Sequence, residues 1–190
     1  MIRKSMLTAL VALLLMAPLA LAPRAEARST YDLPKANRLD KNRLLHERRW
    51  LETPRERAAF PYLGSNFEVW APATKRFNCI AWSIGITRQW VWPGKKVAHF
   101  DRLYGRFGYK RIRQLDYRVR PGYQKIVLYG KVKYYRGRRI IECTHGARQL
   151  ADGTWTSKLG SLPLVRHLTP GALNGPSYGR PIAVYVKKVA

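Results

Sequence analysis

The first half of the chain carries apolar residues at helical spacing. Between residues 97 and 107 they recur every three or four positions, which predicts an amphipathic helix that ends at Gly108. A shorter apolar stripe within residues 80–84 predicts a second helix of about two turns, which begins at Cys79 and ends at Gly85. We therefore expect helices before the sheet in the order of elements.

The second half changes to the pattern typical of strands. Residues that favour strands flank two turn sequences, Arg136-Gly137-Arg138 and Asp152-Gly153, and each turn predicts a hairpin. The predicted strands are Lys125–Tyr129, Val132–Tyr135, Arg139–Glu142, His145–Leu150, Thr154–Lys158 and Ile182–Val186. Helices followed by strands indicate an α+β fold, with the N-terminal helices packed on one face of a meandering antiparallel sheet.

Three segments of different composition follow one another along the chain. Residues 1–27 have a positively charged start, an apolar run and a small-residue cleavage pattern, which predict a signal peptide. An uncleaved membrane anchor is the alternative. Residues 28–59 predict a basic arm with one helix, roughly from Asp40 to Leu51, and residues 60–190 predict the folded domain. A signal peptide implies an exported protein, periplasmic or secreted.

The chain is strongly basic, with 36 Lys and Arg residues against 11 Asp and Glu and a formal net charge of +25. This charge favours an anionic partner. Because we expect export, that partner is an anionic envelope polymer, peptidoglycan or an anionic lipid surface. Residues 102–139 mix Lys and Arg with tyrosines, which suits a polyanion groove. Nucleic acid is less favoured, because no recognised nucleic-acid motif is present. We expect a monomer.

The chain contains only two cysteines, Cys79 and Cys143. Two thiols cannot form a four-ligand zinc site, and their spacing matches no haem or iron–sulfur motif, so we predict neither a metal nor another cofactor. In an oxidising compartment the two could form a disulfide. Cys143 lies two residues before His145, so we expect both side chains on one face of a strand. If Cys79 approaches that face, a disulfide competes with a reactive thiol.

The position of Cys79 suits nucleophilic chemistry. Asn78 is a favourable N-cap residue, so Cys79 is predicted to be the first residue of a helix. A helix N-terminus stabilises a thiolate and offers backbone N–H groups to a developing oxyanion. His145, on the predicted sheet, could accept and return the proton. From these residues alone, a catalytic pair, a permanent disulfide and an inert buried cysteine all stay open.

Several sequence blocks between Phe60 and Gly160 resemble a family of uncharacterised bacterial domains. The blocks are Phe60-Pro61-x-Leu63, Phe77-Asn78-Cys79-Ile80-Ala81-Trp82, Trp90-x-Trp92-Pro93, Gly122-Tyr123-x-Lys125-Ile126 and His145-x-Ala147-Arg148-Gln149-Leu150-x-Asp152-Gly153-x-Trp155-Thr156-Ser157-Lys158-Leu159-Gly160. The order of elements resembles the NlpC/papain-like cysteine peptidases, in which a Cys at a helix start precedes a sheet whose leading strand carries a His. That superfamily cleaves peptide or isopeptide bonds, often in peptidoglycan.

The resemblance implies roles for individual residues. Cys79 is the expected nucleophile and His145 the expected general base. The third residue of the superfamily, usually His, Asn or Gln, lies on the next strand, where alternation along the strand places Ser157 on the same face as Trp155. Ser157 is our choice, although a hydroxyl orients an imidazole less firmly, and His167 is the alternative. The residues expected to bind substrate are Asn78, Trp82 and Trp155.

Three functions agree with the sequence. The first is an exported cysteine hydrolase or acyltransferase of NlpC/papain-like type, acting on amide or ester bonds in the cell envelope. The second is a non-catalytic cationic module that binds an anionic envelope polymer or nucleic acid. The third is a secreted antibacterial toxin that uses the same site.

Overall fold

The structure is a computed structural model that describes residues 41–189. The predicted signal peptide and the start of the arm, including Asp40, lie outside the described residues. The helices are α1 (Lys41–Leu51), α2 (Pro54–Ala59), α3 (Cys79–Ser83) and α4 (Val97–Arg106), with a 3-10 helix at Pro170–Leu173. The strands are β1 (Phe67–Ala71), β2 (Lys110–Ile112), β3 (Tyr123–Tyr135), β4 (Arg138–Gln149), β5 (Trp155–Lys158), β6 (Leu164–His167) and β7 (Arg180–Lys188). No helix in this range is long and apolar enough to cross a membrane.

The seven strands form one sheet in the order β1-β6-β5-β4-β3-β7-β2. Every neighbouring pair is antiparallel. Strands β3 to β6 follow one another across the sheet as a meander, while β7 returns to the far side of β3. Helices and an antiparallel sheet together confirm the predicted α+β class.

Helices pack on both faces of the sheet, so the prediction of helices on a single face was wrong. Successive residues of a strand point to opposite faces. In β3, Ile126 belongs to a buried cluster with Ile80 of α3. Its neighbour Val127 belongs to a second cluster with Leu51 of α1. Helices α3 and α4 therefore cover one face, and α1 covers part of the other.

The described part of the arm contains two helices where one was predicted. Pro54 begins α2, because a proline has no N–H to leave unpaired at the first helical position. In α1, Leu51 is 3% exposed. The guanidinium of Arg48 donates to the carbonyls of Phe67 at 2.7 Å and Ser65 at 2.9 Å. These contacts tie α1 to the start of β1.

The predicted hairpin at Arg136-Gly137 is confirmed, and its strands are longer than predicted. β3 and β4 run over 13 and 12 residues. Arg136 and Gly137 both have positive φ, 49° and 75°, as the tight turn between two twisted strands requires. His145 consequently lies within β4 and does not open a strand.

A β-bulge in β4 places Cys143 and His145 on opposite faces. Tyr129 pairs with His145, and the next residue, Gly130, pairs with Cys143, so Thr144 is the extra residue. Cys143 lies in the cluster beneath α3 and α4. His145 packs against Tyr129 on the other face. The prediction that Cys143 and His145 share a face was wrong, because an inserted residue reverses the alternation.

Strands β4 and β5 part after two residue pairs. Arg148 pairs with Thr156 and Gln149 pairs with Trp155, and among the described residues no further pair joins the two strands. β5 continues instead along β6. Helix α3 packs against both β4 and β5. Its first residue, Cys79, therefore lies beside the part of β4 that has left β5.

Gly146 is a point of close approach between β4 and the helices. A Cβ atom there would lie 2.9 Å from the Tyr104 hydroxyl and 3.0 Å from Cδ1 of Ile80. We expect Gly146→Ala to displace α3 and α4 and to lower the free energy of unfolding by about 1–3 kcal/mol. Gly105→Ala is the matched control, because no atom lies within 4 Å of that Cβ position in α4. It should raise stability by about 1 kcal/mol. Urea unfolding measures the free energy of unfolding of both variants. Equal changes in the two variants would contradict the close contact between Gly146 and the helices.

Candidate active site

The start of α3 is fixed by one buried side-chain amide. Asn78 accepts a hydrogen bond from the Ala81 N–H at 3.0 Å, which confirms the predicted N-cap. The same amide accepts from the Val91 N–H at 3.2 Å and donates to the Val91 carbonyl at 2.9 Å. Asn78 thereby holds the loop that carries Trp90 and Trp92 against the start of the helix.

The thiol of Cys79 lies among backbone N–H groups and is 4% exposed. Burial raises the pKa of this thiol to about 11, although the nearby N–H groups of Gly146, Ile80 and Cys79 itself oppose the rise. The positive charge of Lys158 opposes it too. At neutral pH the resting thiol is therefore protonated, because the loss of water outweighs the donors at the helix start.

Cys79 forms part of the wall of a solvent-accessible pocket of about 190 Å³. The lining residues are Asn78, Cys79, Trp90, Trp92, Thr144, Gly160 and Tyr178. Trp90 and Trp92 are 53% and 46% exposed. The Trp90 indole donates to the Lys75 carbonyl, and the Trp92 ring meets Phe100 edge-on at 5.8 Å. The pocket thus combines a thiol with two fixed, half-exposed indoles.

His145 is buried on the face of β4 opposite α3. Its imidazole stacks on the Tyr178 ring, with centroids 3.9 Å apart and planes at 18°. Burial, together with nearby His167, holds the pKa of His145 well below its usual 6.5. Neither ring nitrogen has a hydrogen-bond partner among the described residues. The imidazole is therefore neutral, and it makes no hydrogen bond to the Cys79 thiol.

Tyr178 contacts both halves of the site. Its ring lines the thiol pocket and stacks on the buried imidazole. The hydroxyl of Thr144, the bulge residue, donates to the Tyr178 carbonyl at 2.5 Å. The next residue, Gly179, has a φ of 76°, and a Cβ there would lie 2.1 Å from the Gly130 carbonyl oxygen. Only glycine allows this approach, so Gly179 fixes the position of Tyr178.

Ser157 and His167, the two candidates for the third residue, bond to each other. The Ser157 hydroxyl and Nε2 of His167 are 2.9 Å apart. Nδ1 of His167 lies 2.8 Å from the Thr169 carbonyl oxygen. A carbonyl oxygen only accepts hydrogen bonds, so Nδ1 carries the proton. Nε2 therefore accepts the Ser157 proton. Neither residue hydrogen-bonds to His145, although His167 lies close enough to lower its pKa.

Lys158 is a buried cation that was not predicted from the sequence as a site residue. Its ammonium donates to the carbonyls of Thr74 at 3.0 Å, Gly160 at 2.6 Å and Leu162. Burial lowers its pKa to about 8, while the Cys79 thiol acts in the opposite direction. Three carbonyl acceptors satisfy the charged form, so the site keeps one positive charge near the thiol at neutral pH.

Trp82 and Trp155, predicted to bind substrate, lie in the core. Trp82 is 2% exposed, and its indole donates to the Thr156 hydroxyl at 3.0 Å. Trp155 is 1% exposed and meets Tyr117 edge-on at 6.2 Å. Neither lines the thiol pocket. Asn78 does line it, but its amide is occupied in holding the start of α3. The indoles that line the pocket are those of Trp90 and Trp92 on the neighbouring loop.

Both cysteines are free thiols. Cys143 lies in the same buried cluster as Cys79, and burial raises its thiol pKa to about 11 as well. The structure thus contains two buried protonated thiols and no bond between them. Within residues 41–189, no group of three His, Cys, Asp or Glu side chains could hold a metal ion.

Comparison with known proteins identifies the family. Residues 68–186, more than half of the chain, match the family model described as a domain of unknown function, DUF7689. The chain belongs to the DUF7689 family, which confirms the predicted membership of an uncharacterised domain family. The match covers Cys79, His145 and most of the sheet. No curated protein and no solved structure matches this chain.

The buried imidazole of His167 makes stability depend on pH. Burial lowers its pKa from 6.5 to about 4 in the folded protein, so the unfolded chain binds a proton that the folded chain does not. The neutral imidazole therefore contributes about 3 kcal/mol to the free energy of unfolding. This contribution is fully present above about pH 6.5 and is lost as the pH falls to about 4. His145, whose pKa is also lowered, acts in the same direction.

His167→Gln should therefore flatten the loss of stability in acid, whereas His46→Gln, at an exposed histidine on α1, should leave it unchanged. Urea unfolding of both variants and the wild type, at about pH 7.5, 5.5 and 4.5, measures this dependence. An unchanged pH dependence in His167→Gln would show that the folded protein does not hold this imidazole neutral.

Proposed function

We propose that the protein is an exported cysteine hydrolase or acyltransferase of NlpC/papain-like type, acting on amide or ester bonds in the cell envelope. One observation carries the proposal. The Cys79 thiol, at the start of a helix and surrounded by backbone N–H groups, lies in the wall of a solvent-accessible pocket. A thiol whose only role is packing gains nothing from such donors or from access to a pocket.

His145 is the general base in this proposal. Among the described residues, neither nitrogen of this buried imidazole has a hydrogen-bond partner. Buried polar groups without partners are uncommon, and groups with shifted pKa values are concentrated at functional sites. The imidazole stacks on Tyr178, which also lines the thiol pocket. In the resting structure the imidazole lies on the face of β4 opposite α3. We therefore propose that substrate binding displaces Tyr178, which contacts both the pocket and the imidazole, and so allows the thiol and the imidazole to meet.

The reaction begins from a neutral pair. Attack forms a thioester between the Cys79 sulfur and the acyl carbon, and the bond from that carbon to the leaving nitrogen or oxygen breaks. The thiol proton passes to His145 and then to the leaving group. Water, or an amine or alcohol acceptor, then cleaves the thioester and returns a proton to sulfur. Backbone N–H groups at the start of α3 stabilise the oxyanion.

Ser157 and His167 position the base together in this scheme. Ser157 donates to His167, and His167 lies near His145. Ser157 therefore acts through His167 and does not touch the base itself. Lys158 supports the thiolate by its charge. The two half-exposed indoles, Trp90 and Trp92, contact the group next to the scissile bond.

The competing function is a non-catalytic cationic module. The observation that favours it is the thiol pKa of about 11, which leaves Cys79 protonated at rest. The net charge of +25 supports either function, because both have an anionic envelope partner. The cysteine hydrolase or acyltransferase and the cationic module differ in whether Cys79 accepts an acyl group.

Acylation by p-nitrophenyl acetate tests the proposal. In the reduced wild type we expect a burst of nitrophenol and an acetyl group that peptide mapping by mass spectrometry locates on Cys79. Cys79→Ala should lose both signals. Cys143→Ala is the matched control, because it removes the other buried thiol, and it should keep them. His145→Gln should slow the burst by about 10²–10⁴-fold, whereas His46→Gln should not change it.

A folded, reduced wild type that is never acylated on Cys79 would exclude the cysteine hydrolase and leave the cationic module. A burst that His145→Gln leaves unchanged would remove His145 from the reaction and keep Cys79 as the nucleophile.

A further inference from the structure

The ends of β3 and β4 extend beyond the sheet as a two-stranded ribbon. β7 pairs with β3 only as far as Gly130, which lies opposite Arg180. From the pair Lys131–Glu142 to the pair Tyr135–Arg138, β3 and β4 pair only with each other among the described strands. We call residues 131–142 the ribbon. Its two faces are therefore open to solvent.

The ribbon is positively charged. Its five cations are Lys131, Lys133, Arg136, Arg138 and Arg139. Its one acid, Glu142, is paired with Lys95 at 3.0 Å. The ribbon therefore presents nearly uncompensated positive charge, which attracts an anionic partner.

The apolar side chains of the ribbon are also exposed. Tyr134 is 74% exposed, Tyr135 62%, Ile140 46%, Val132 39% and Ile141 38%. Residues directly opposite each other share a face. The pair Val132–Ile141 and the pair Lys133–Ile140 thus put aliphatic groups on both faces. Contiguous exposed apolar groups mark an interaction surface.

A groove of about 400 Å³ lies where the ribbon joins the sheet. Its lining includes the aliphatic side chains of Val132, Ile141 and Ile182. Arg139 and Arg180 line the same groove. Apolar walls beside two guanidinium groups suit an amphiphile with an anionic headgroup, because a guanidinium bonds well to phosphate.

We propose that the ribbon docks onto an anionic lipid bilayer. The Lys and Arg side chains attract the headgroups, the tyrosines occupy the interfacial region, and the aliphatic side chains enter the acyl boundary. A nucleic acid would use the cations and the tyrosines, but it offers no apolar surface to Val132, Ile140 and Ile141. The ribbon lies along the bilayer surface in this proposal, because end-on entry would put the charged turn at Arg136 and Arg138 deeper than the pair Val132–Ile141 at its base.

Vesicle sedimentation with the full chain tests the proposal. The vesicles contain phosphatidylcholine alone or a mixture with phosphatidylglycerol, and the neutral vesicles measure any binding that does not depend on lipid charge. The first variant reverses three ribbon charges: Lys133→Glu/Arg136→Glu/Arg138→Glu. Its matched control reverses three exposed charges on α1 and α2: Arg43→Glu/Arg49→Glu/Arg57→Glu.

We expect the ribbon charge variant to bind anionic vesicles more than a hundredfold more weakly than the wild type, since the loss of each basic residue near the surface costs about fivefold and each added Glu repels the headgroups as well. The control variant, with its three reversed charges on α1 and α2, should lose far less affinity for these vesicles. Binding of the charge variant equal to that of its control would overturn the proposal. Circular dichroism and thermal midpoints confirm that the variants keep the fold.

A second variant, Ile140→Ser/Ile141→Ser, separates a bilayer from a nucleic acid. It keeps every charge and removes two aliphatic groups. We expect it to bind anionic vesicles roughly tenfold more weakly, because less apolar area enters the lipid, and to bind a DNA duplex as the wild type does. Unchanged vesicle binding by this variant would show that the ribbon binds through charge alone. The proposal that it docks onto a lipid bilayer would then fail.

Discussion

The separation of β4 from β5 is the constraint on which the rest of the structure depends. Where the strands part, β4 pairs with β3 alone, and the Gly146 N–H lies close enough to the Cys79 sulfur to lower the pKa of that thiol. Helix α3 reaches the opening because Asn78 caps it there and because residue 146 has no Cβ. A continuous sheet would have no place for the thiol or its pocket.

Burial sets the charge of the site. The thiol of Cys79 has a raised pKa, and the imidazoles of His145 and His167 have lowered ones, so all three are neutral at neutral pH. Lys158 keeps its charge because three carbonyls satisfy it. Most other cations of the described residues lie on the surface, and the ribbon carries five of them. The neutral pocket and the cationic ribbon are therefore separate features of the molecule.

Elements with strong local signals were predicted well from the sequence. The Asn78 cap, α4 with its end at Gly108, and the Arg136-Gly137 turn depend on residues close together in the chain, and the structure confirms each. Strands β2 and β6 were missed because each is short and is formed by its neighbours in the sheet. That omission hid the position of His167, at the end of β6. The exposed indoles beside Cys79 were also not distinguished from the buried ones, because burial depends on the whole fold.

The sequence by itself determined that Cys79 begins a helix, that His145 lies on a strand, and that the chain is strongly basic. These properties follow from composition and from interactions within a few residues. Only the tertiary structure decided which face each side chain takes and what surrounds it. One extra residue, Thr144, sends Cys143 and His145 to opposite faces, and packing commits Ser157 to His167. Both outcomes depend on the register of strand pairing and on packing against other elements, which local sequence patterns do not specify.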